Sequence, residues 1–215
     1  FSNNTKVSDL ITIDQEAVIQ DLNSQKVGEF LKQPTFDKFP VTIWDCCAAS
    51  GGKSILVYDT LKDIKMTVSD SRKNILKNLH SRFEKAGIKN YFSFVADLAA
   101  DSFNMAAGNL FDFILADVPC SGSGTWARTP EQLKFFNRNK IEEYSLLQQR
   151  IVSNANLYLA RGGYLLYITC SVFKKENEDN VHFFQEKLNL ELIESKYLKG
   201  FQIQSDTLFA ALFRK

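Results

Sequence analysis

The 215-residue chain carries 26 Lys and Arg against 25 Asp and Glu, a net charge of +1, with 45% hydrophobic residues and only four prolines. That balance excludes a disordered or fibrous chain and a polycation held to nucleic acid by bulk charge, while the length suits one α/β domain with a sizeable core. No apolar run approaches a membrane span, no signal peptide is visible, and four cysteines at these spacings match neither a disulfide framework nor a zinc template. A cytoplasmic protein with free thiols, no metal site and no membrane contact is expected. The chain opens on Phe1 instead of Met, so an upstream segment is expected too.

Between Thr5 and Gln33 the stretch "TIDQEAVIQDLNSQKVGEFLK" places Val18, Leu22, Val27, Phe30 and Leu31 at helical spacing after a polar start, which predicts a helical extension over residues 1–40. From Val41 the pattern changes. The runs "VTIWDC", "KMTVSD", "YFSFVA", "FDFILAD" and "GYLLYIT" predict strands, and Lys53–Lys62, Arg72–Ala86 and Ile141–Leu159 predict helices, the last closed by a cap signal at Arg161-Gly162-Gly163. Alternation of this kind implies parallel βαβ units in a doubly wound sheet over residues 41–215. The tail breaks it: "LELIESKYL" and "TLFAALFRK" are two strand candidates with no clear helix between them, so an antiparallel finish at one sheet edge is expected.

Ligands of such sheets bind beyond the carboxyl ends of the strands, which makes the strand-ending residues the informative ones. The first strand runs into "DCCAASGGKS", Asp45 to Ser54. A phosphate-binding loop would need glycine where this chain has Cys47, and G-x-G-x-x-G is absent, so neither an NTPase nor a dinucleotide enzyme fits well. What remains is a turn of small residues, Ala48, Ala49, Ser50, Gly51 and Gly52, that lets a ligand approach the backbone. The next strand ends in Asp70, placed to accept from ribose hydroxyls, and the third in Asp97, placed to accept from an adenine amino group. Each aspartate alone reads equally well as a helix N-cap. Together, at the ends of consecutive strands, they point to an adenosine without a phosphate requirement, hence S-adenosyl-L-methionine.

Two further strands end beside thiols, in "DVPCSGSGT" (Asp117 to Thr125) and "YITCS" (Tyr167 to Ser171). Free cysteine is commonly a buried small hydrophobe, but Pro, Ser, Gly and Thr around Cys120 and Cys170 predict loops that present the sulfur. Cys46 has no role beyond packing.

With these motifs in order, the sequence resembles the RNA cytosine-5 methyltransferases of the Sun, or RsmB-like, family. "DCCAASGGKS" matches the family's cofactor loop, "DVPCSGSGT" its Pro-Cys motif and "YITCSVFKKENEDNV" its Thr-Cys motif with the trailing Glu-Asn, while "VIQDLNSQ" and "ARTPE" match flanking elements. The resemblance runs from about Val18 to Lys215. It implies a Rossmann-like S-adenosylmethionine-dependent methyltransferase fold. It also implies a cofactor site that takes in Cys47 and Lys53 with the small-residue turn, and Asp117 bordering it. By the same resemblance Cys170 is the nucleophile that adds to C6 of cytosine, Cys120 serves product release, and Lys53 braces the active-site loop. Asp117 is in addition a candidate acid or hydrogen-bond partner at N3 of the base. The residues alone leave the attacking thiol open, since DNA cytosine-5 methyltransferases use the cysteine of the Pro-Cys motif.

The implied partner is RNA, ribosomal before other kinds, in a single-stranded or loop region from which the cytosine flips. Lys53, Arg128, Lys174 and Lys175 are candidate phosphate contacts, and a monomer is expected. The chain departs from the family at Ser50 (usually Pro), at Val118 (usually Ala) and at Asp206-Thr207-Leu208-Phe209 (usually Gly-Phe-Phe), and an upstream RNA-binding domain is not among its residues. DNA cytosine methylation, or an RNA-binding assembly factor that keeps the cofactor fold without turnover, are the competing functions.

Overall fold

The computed structural model describes residues 6–100, 103–105 and 110–215. Two short helices, α1 (Leu22–Lys26) and α2 (Gly28–Leu31), lead into β1 (Val41–Asp45). Then follow α3 (Gly52–Leu61), β2 (Ile64–Asp70), α4 (Lys73–Lys85), β3 (Tyr91–Val95), β4 (Phe111–Asp117), α5 (Glu131–Phe135) and α6 (Asn139–Asn156). The chain ends with β5 (Leu159–Thr169), α7 (Glu178–Leu188), β6 (Glu191–Leu198) and β7 (Leu208–Arg214).

The strands form one sheet in the order β3-β2-β1-β4-β5-β7-β6. β1 to β5 run parallel, and β7 slots antiparallel between β5 and β6. Successive side chains of a strand face opposite ways, and the two cores follow that period. Ile43, Leu166 and Ile168 pack with Val27, Phe30, Val57 and Phe83 on one face. Trp44, Leu165 and Tyr167 pack with Val152, Phe184 and Phe213 on the other. α4 buries Leu76, Leu79 and Phe83, the three- and four-residue spacing of one helix face. Sheet order reverses beside β1, whose neighbours are β2 and β4, so the carboxyl ends of those strands open onto the crevice where ligands of this architecture bind.

Three expectations need correction. The single N-terminal helix is replaced by α1 and α2, because Asp21 caps at that point, accepting from the backbone N–H groups of Asn23 and Ser24, and upstream the chain turns through Asp14 at φ 66°. Of the five apolar positions, Val27, Phe30 and Leu31 enter the core while Leu22 stays exposed; residues 1–5 lie outside the described residues. The cap signal at Arg161-Gly162-Gly163 is not a cap. α6 stops at Asn156, and β5 has begun by Leu159, with Gly162 (φ 75°) bending the strand so that its N–H reaches the Lys215 carbonyl at 2.7 Å. Lastly, α7 went unpredicted, although Glu178 and Asp179 in its first turn and Val181 and Phe184 at three-residue spacing mark an ordinary amphipathic helix.

Candidate active site

The turn after β1 is held from three sides. The Ala48 N–H donates to the Ser69 carbonyl at 2.9 Å and the Ala49 N–H to Asp70 Oδ2 at 2.9 Å, which ties the turn to the end of β2. Gly51 sits at φ 84°, and a Cβ there would lie 2.8 Å from Phe83 Cε1, so both the backbone conformation and the contact with α4 demand glycine. Arg82 of α4 donates from Nη1 to the carbonyl and hydroxyl oxygens of Ser50 at 3.1 and 3.2 Å, and from Nε to Asp14 Oδ1 at 3.2 Å. The hydroxyl that replaces the family's proline thus gains a partner no proline could offer, and the turn stays restrained.

Two cavities, about 410 and 380 Å³, meet at this turn and share Cys47, Ala49, Asp117 and Cys170 as a common wall. The first runs past Asp70, Arg72 and Asp97, the second past Asp21, Lys53, Arg82, Thr125 and Asp206. Asp70 is 5% exposed, and its carboxylate is fully engaged: Oδ1 takes the N–H and Nε of Arg72, both at 2.9 Å, and Oδ2 takes Ala49 N–H and, at 3.1 Å, Arg72 Nη2. Burial works to raise the Asp70 pKa, but the bonds and charge of Arg72 outweigh it and hold the carboxyl low. Asp97 caps its own loop by accepting from Ala99 N–H at 2.9 Å, yet remains exposed on the cavity wall.

At the shared wall Lys53 Nζ meets Asp117 Oδ2 at 2.6 Å, with the lysine side chain only 16% exposed. Burial works to lower the Lys53 pKa and the Asp117 carboxylate to raise it, and the carboxylate wins. Asp45, behind Lys53, accepts from Ser54 Oγ at 2.6 Å through Oδ2 and has no partner for Oδ1; its burial pushes the carboxyl up to about 7. Cys120 Sγ and Cys170 Sγ lie 3.1 Å apart. The Cys120 thiol, hydrogen-bonded to its neighbour, lowers the Cys170 pKa against the effect of burial, whereas the same contact raises Cys120. Cys46 is buried among the apolar residues of its face, as a packing residue should be.

The network behind the thiols was not read from the sequence. Glu176, fully buried, accepts through Oε2 from Ser121 N–H at 2.8 Å and Gln148 Nε2 at 3.0 Å, and through Oε1 from Ser171 Oγ at 2.7 Å. One carboxylate thus joins the loop that carries Cys120 to the loop that carries Cys170. Asn177 donates to the Ser171 carbonyl at 2.8 Å, and Gln148 to that of Pro119 at 2.9 Å. The Gly124 N–H bonds the Cys170 carbonyl at 2.8 Å, and a Cβ on Gly124 would stand 2.0 Å from the Thr207 carbonyl oxygen, so this crossing of the loops admits only glycine. The available signal was polarity in the wrong place: Ser145 and Gln148 continue the buried stripe of Val152 and Ala155 on α6. Of the candidate phosphate contacts, Lys53 faces Asp117, Arg128 pairs with Asp206 at 2.6 Å, Lys174 with Asp179, and Lys175 with Glu142 at 3.3 Å.

Residues 33–211 match the family model described as 16S rRNA methyltransferase RsmB/F. The ribosomal RNA small subunit methyltransferase B of Shewanella oneidensis is 34% identical over 143 residues, 66% of this chain and 33% of that protein. A 28S rRNA (cytosine-C(5))-methyltransferase of Mus musculus is 26% identical over 200 residues, 86% of this chain and 25% of that protein. The chain thus spans a third or less of these two relatives. Among solved structures, NSun6 from Pyrococcus horikoshii with SFG, an S-adenosylmethionine analogue, superposes with a TM-score of 0.78 at 26% identity, covering 91% of this chain and 52% of that one. The doubly wound sheet with its antiparallel β7 is the Rossmann-like fold of S-adenosylmethionine-dependent methyltransferases. Fold, motif order and a match over most of the length agree, and the chain belongs to the RsmB/F family of rRNA methyltransferases.

Proposed function

We propose that this chain methylates C5 of cytosine in RNA, ribosomal RNA being the substrate class, with S-adenosyl-L-methionine as methyl donor and Cys170 as a covalent nucleophile, acting as a monomer in the cytoplasm. The observation that carries the reading is the common wall of the two cavities, where Cys170 and Asp117 stand, each paired with a residue of one cavity alone: Cys120 in the first and Lys53 in the second.

The residues of the first cavity fit the cofactor. Asp70 offers carboxylate oxygens for a ribose diol once the exposed Arg72 side chain turns out to solvent, Asp97 offers an acceptor for an adenine amino group, and the turn from Cys47 to Gly52 keeps the backbone clear. When bound, S-adenosylmethionine supplies an electrophilic methyl group and leaves as a neutral thioether. Cytosine C5 is too weak a nucleophile to take that methyl unaided. The Cys170 thiolate adds to C6, the C5=C6 π-electron pair shifts to C4–C5 as N3 takes a proton from solvent, which makes C5 enamine-like, and the Asp117 carboxylate accepts from the N3–H so formed. The Lys53 ammonium stabilises both the thiolate before attack and the Asp117 carboxylate beside it. After C5 has bonded to the methyl carbon, loss of the C5 proton to a base returns the electron pair to the ring, and the C6–S bond breaks. Cys120, whose thiol lies against Cys170, is placed to hand a proton to the departing sulfur.

RNA containing 5-fluorocytosine tests this directly, since fluorine cannot leave as a proton and the adduct persists. A denaturation-resistant protein–RNA band is expected with wild type and Cys120→Ala and none with Cys170→Ala. The reverse pattern would move the nucleophile to Cys120, as in the DNA enzymes. No band for any form would favour an RNA-binding factor without turnover.

A further inference from the structure

The segment from Trp126 to Lys140 lies between the Cys120 loop and α6, and the site described so far uses little of it. Trp126 follows Thr125, which lines the second cavity, and Phe173 lies three residues beyond Cys170. Their rings meet Phe136: Phe136 stacks on Phe173 with centroids 5.4 Å apart and planes at 16°, and Trp126 packs edge-on against both at 4.8 and 5.9 Å. This three-ring cluster ties the end of α5 to Trp126, next to the cavity-lining Thr125, and to Phe173, on the loop that follows Cys170. From α5 itself Leu133 and Phe135 stand 60% and 77% exposed. The same segment has four basic residues, Arg128, Lys134, Arg138 and Lys140, against Glu131 alone. Arg128 and Lys140 are paired with Asp206 and Glu143. Among the described residues, Lys134 and Arg138 have no carboxylate within ion-pair distance.

Any base has a π-face, so an exposed aromatic ring binds unstacked nucleotides regardless of sequence, and unpaired cations beside it neutralise the phosphates. A folded protein partner would call for a contiguous apolar patch, whereas here apolar and cationic side chains alternate along Leu133, Lys134 and Phe135. We infer that α5 is a stacking platform for single-stranded RNA next to the target cytosine, with a base on Phe135 and the backbone held by Lys134 and Arg138. This rests on the methyltransferase reading above and adds to it where the strand leaves the catalytic cavity. It also explains how a chain of net charge +1 can hold a polyanion: the charge is local, on the segment between the Cys120 loop and α6.

The test titrates the full chain with a short, fluorescently labelled single-stranded RNA containing 5-fluorocytosine, and scores the covalent band in the same samples at saturating RNA. Phe135→Ala is expected to weaken binding about 5- to 150-fold, the loss of one base–aromatic stack, while Phe135→Trp retains it. Combining Lys134→Gln with Arg138→Gln is expected to reduce the slope of log affinity against log salt by about 0.7 per lost phosphate contact. The band at saturating RNA should persist in all three. Unchanged affinity in Phe135→Ala with the band intact overturns the platform and leaves the methyltransferase standing, as does failure of wild type to bind single-stranded RNA while still forming the band. An affinity loss without any band in wild type keeps the platform and removes the enzyme reading.

Discussion

The two halves of the site are built on different principles. On the side of β4 and β5 the cysteine loops are fixed by a buried carboxylate and two buried amides, with Glu176, Gln148 and Asn177 each bridging more than one element. On the side of β1 to β3 the cofactor cavity is shaped by backbone conformation at Gly51 and by Arg72, a side chain 63% exposed and free to leave. Nucleophilic attack needs sulfur and carbon aligned closely, which a rigid, fully hydrogen-bonded frame provides. A cofactor that must enter and leave at each turnover needs a site that opens, and the exposed Arg72 side chain is the part of that cavity able to move while the buried Asp70 stays in place.

Breaking the rigid half should have the largest effect. Glu176→Ala removes the acceptor of the part-buried Ser121 N–H and one of the two acceptors of the buried Gln148 amide, which keeps the Pro119 carbonyl, while Ser171 can turn to the Ser123 hydroxyl 3.3 Å away. One fully lost acceptor costs about 1–3 kcal/mol, and for a chain of this size Tm falls about 2–4 °C per kcal/mol. Thermal unfolding measures it. Glu176→Gln, which keeps an acceptor oxygen, should lose distinctly less, and equal losses would mean that volume rather than hydrogen bonding matters there.

Legibility in the sequence divides along the same line. β1, β2, β3 and β4 begin and end within a residue or so of the expected runs: β1, β4 and most of β2 are buried and read as continuous apolar segments, while the edge strand β3, with Phe92 and Val95 exposed, was legible from its aromatic and β-branched residues. Asp45, Asp70, Asp117 and Cys170 fall at strand ends as expected, and the sheet brings Cys120 and Cys170 together across 50 residues. Glu176 and Gln148 were not legible as partners because a buried polar group is recognised by what surrounds it, and its partners here are 55 and 28 residues away in the chain. The role of Arg72 was hidden for the opposite reason: it contacts Asp70 two residues back, where an exposed arginine at a helix start looks like any other. The N-terminal helix was overextended because apolar spacing says nothing of the Asp21 cap and the Asp14 turn that override it.

The adaptable half yields the second effect. Arg72 occupies the lone pairs of Asp70 that a ribose diol would use, so binding must first displace it. Arg72→Ala is expected to tighten S-adenosylhomocysteine binding by up to about tenfold, about 1.4 kcal/mol, while lowering Tm, because the buried Asp70 carboxylate loses the cation that offsets its desolvation. Calorimetric titration with that ligand decides. A weaker Kd would instead make Arg72 a direct contact of the cofactor, and the cofactor side would then be as preformed as the cysteine side.

The smallest effect on rate, and the finest test of the comparison, concerns the thiol pair. With Cys120 as donor of the 3.1 Å Sγ–Sγ contact, the Cys170 pKa is held below that of an ordinary thiol. The thiolate is present above that pKa, so covalent-band formation should rise with pH at a lower midpoint than a free cysteine would give. Cys120→Ala removes the donor, and the midpoint should move upward. The rate at neutral pH should change less than the thiolate fraction does, because a thiolate of higher pKa is the better nucleophile, with a Brønsted slope of about 0.4–0.5. The stability linkage has the same sign: a thiol whose folded pKa is depressed contributes stability above the unfolded pKa, and that contribution is lost as pH falls through the folded value. Wild type should therefore lose this increment as pH falls from about 9 through the lowered Cys170 pKa, and Cys120→Ala should not. Band-formation rate against pH for both proteins measures the midpoint shift. If the two midpoints coincide, the hydrogen bond between the thiols does not set Cys170 ionisation, and Lys53, the remaining cation at the wall, becomes the group that does.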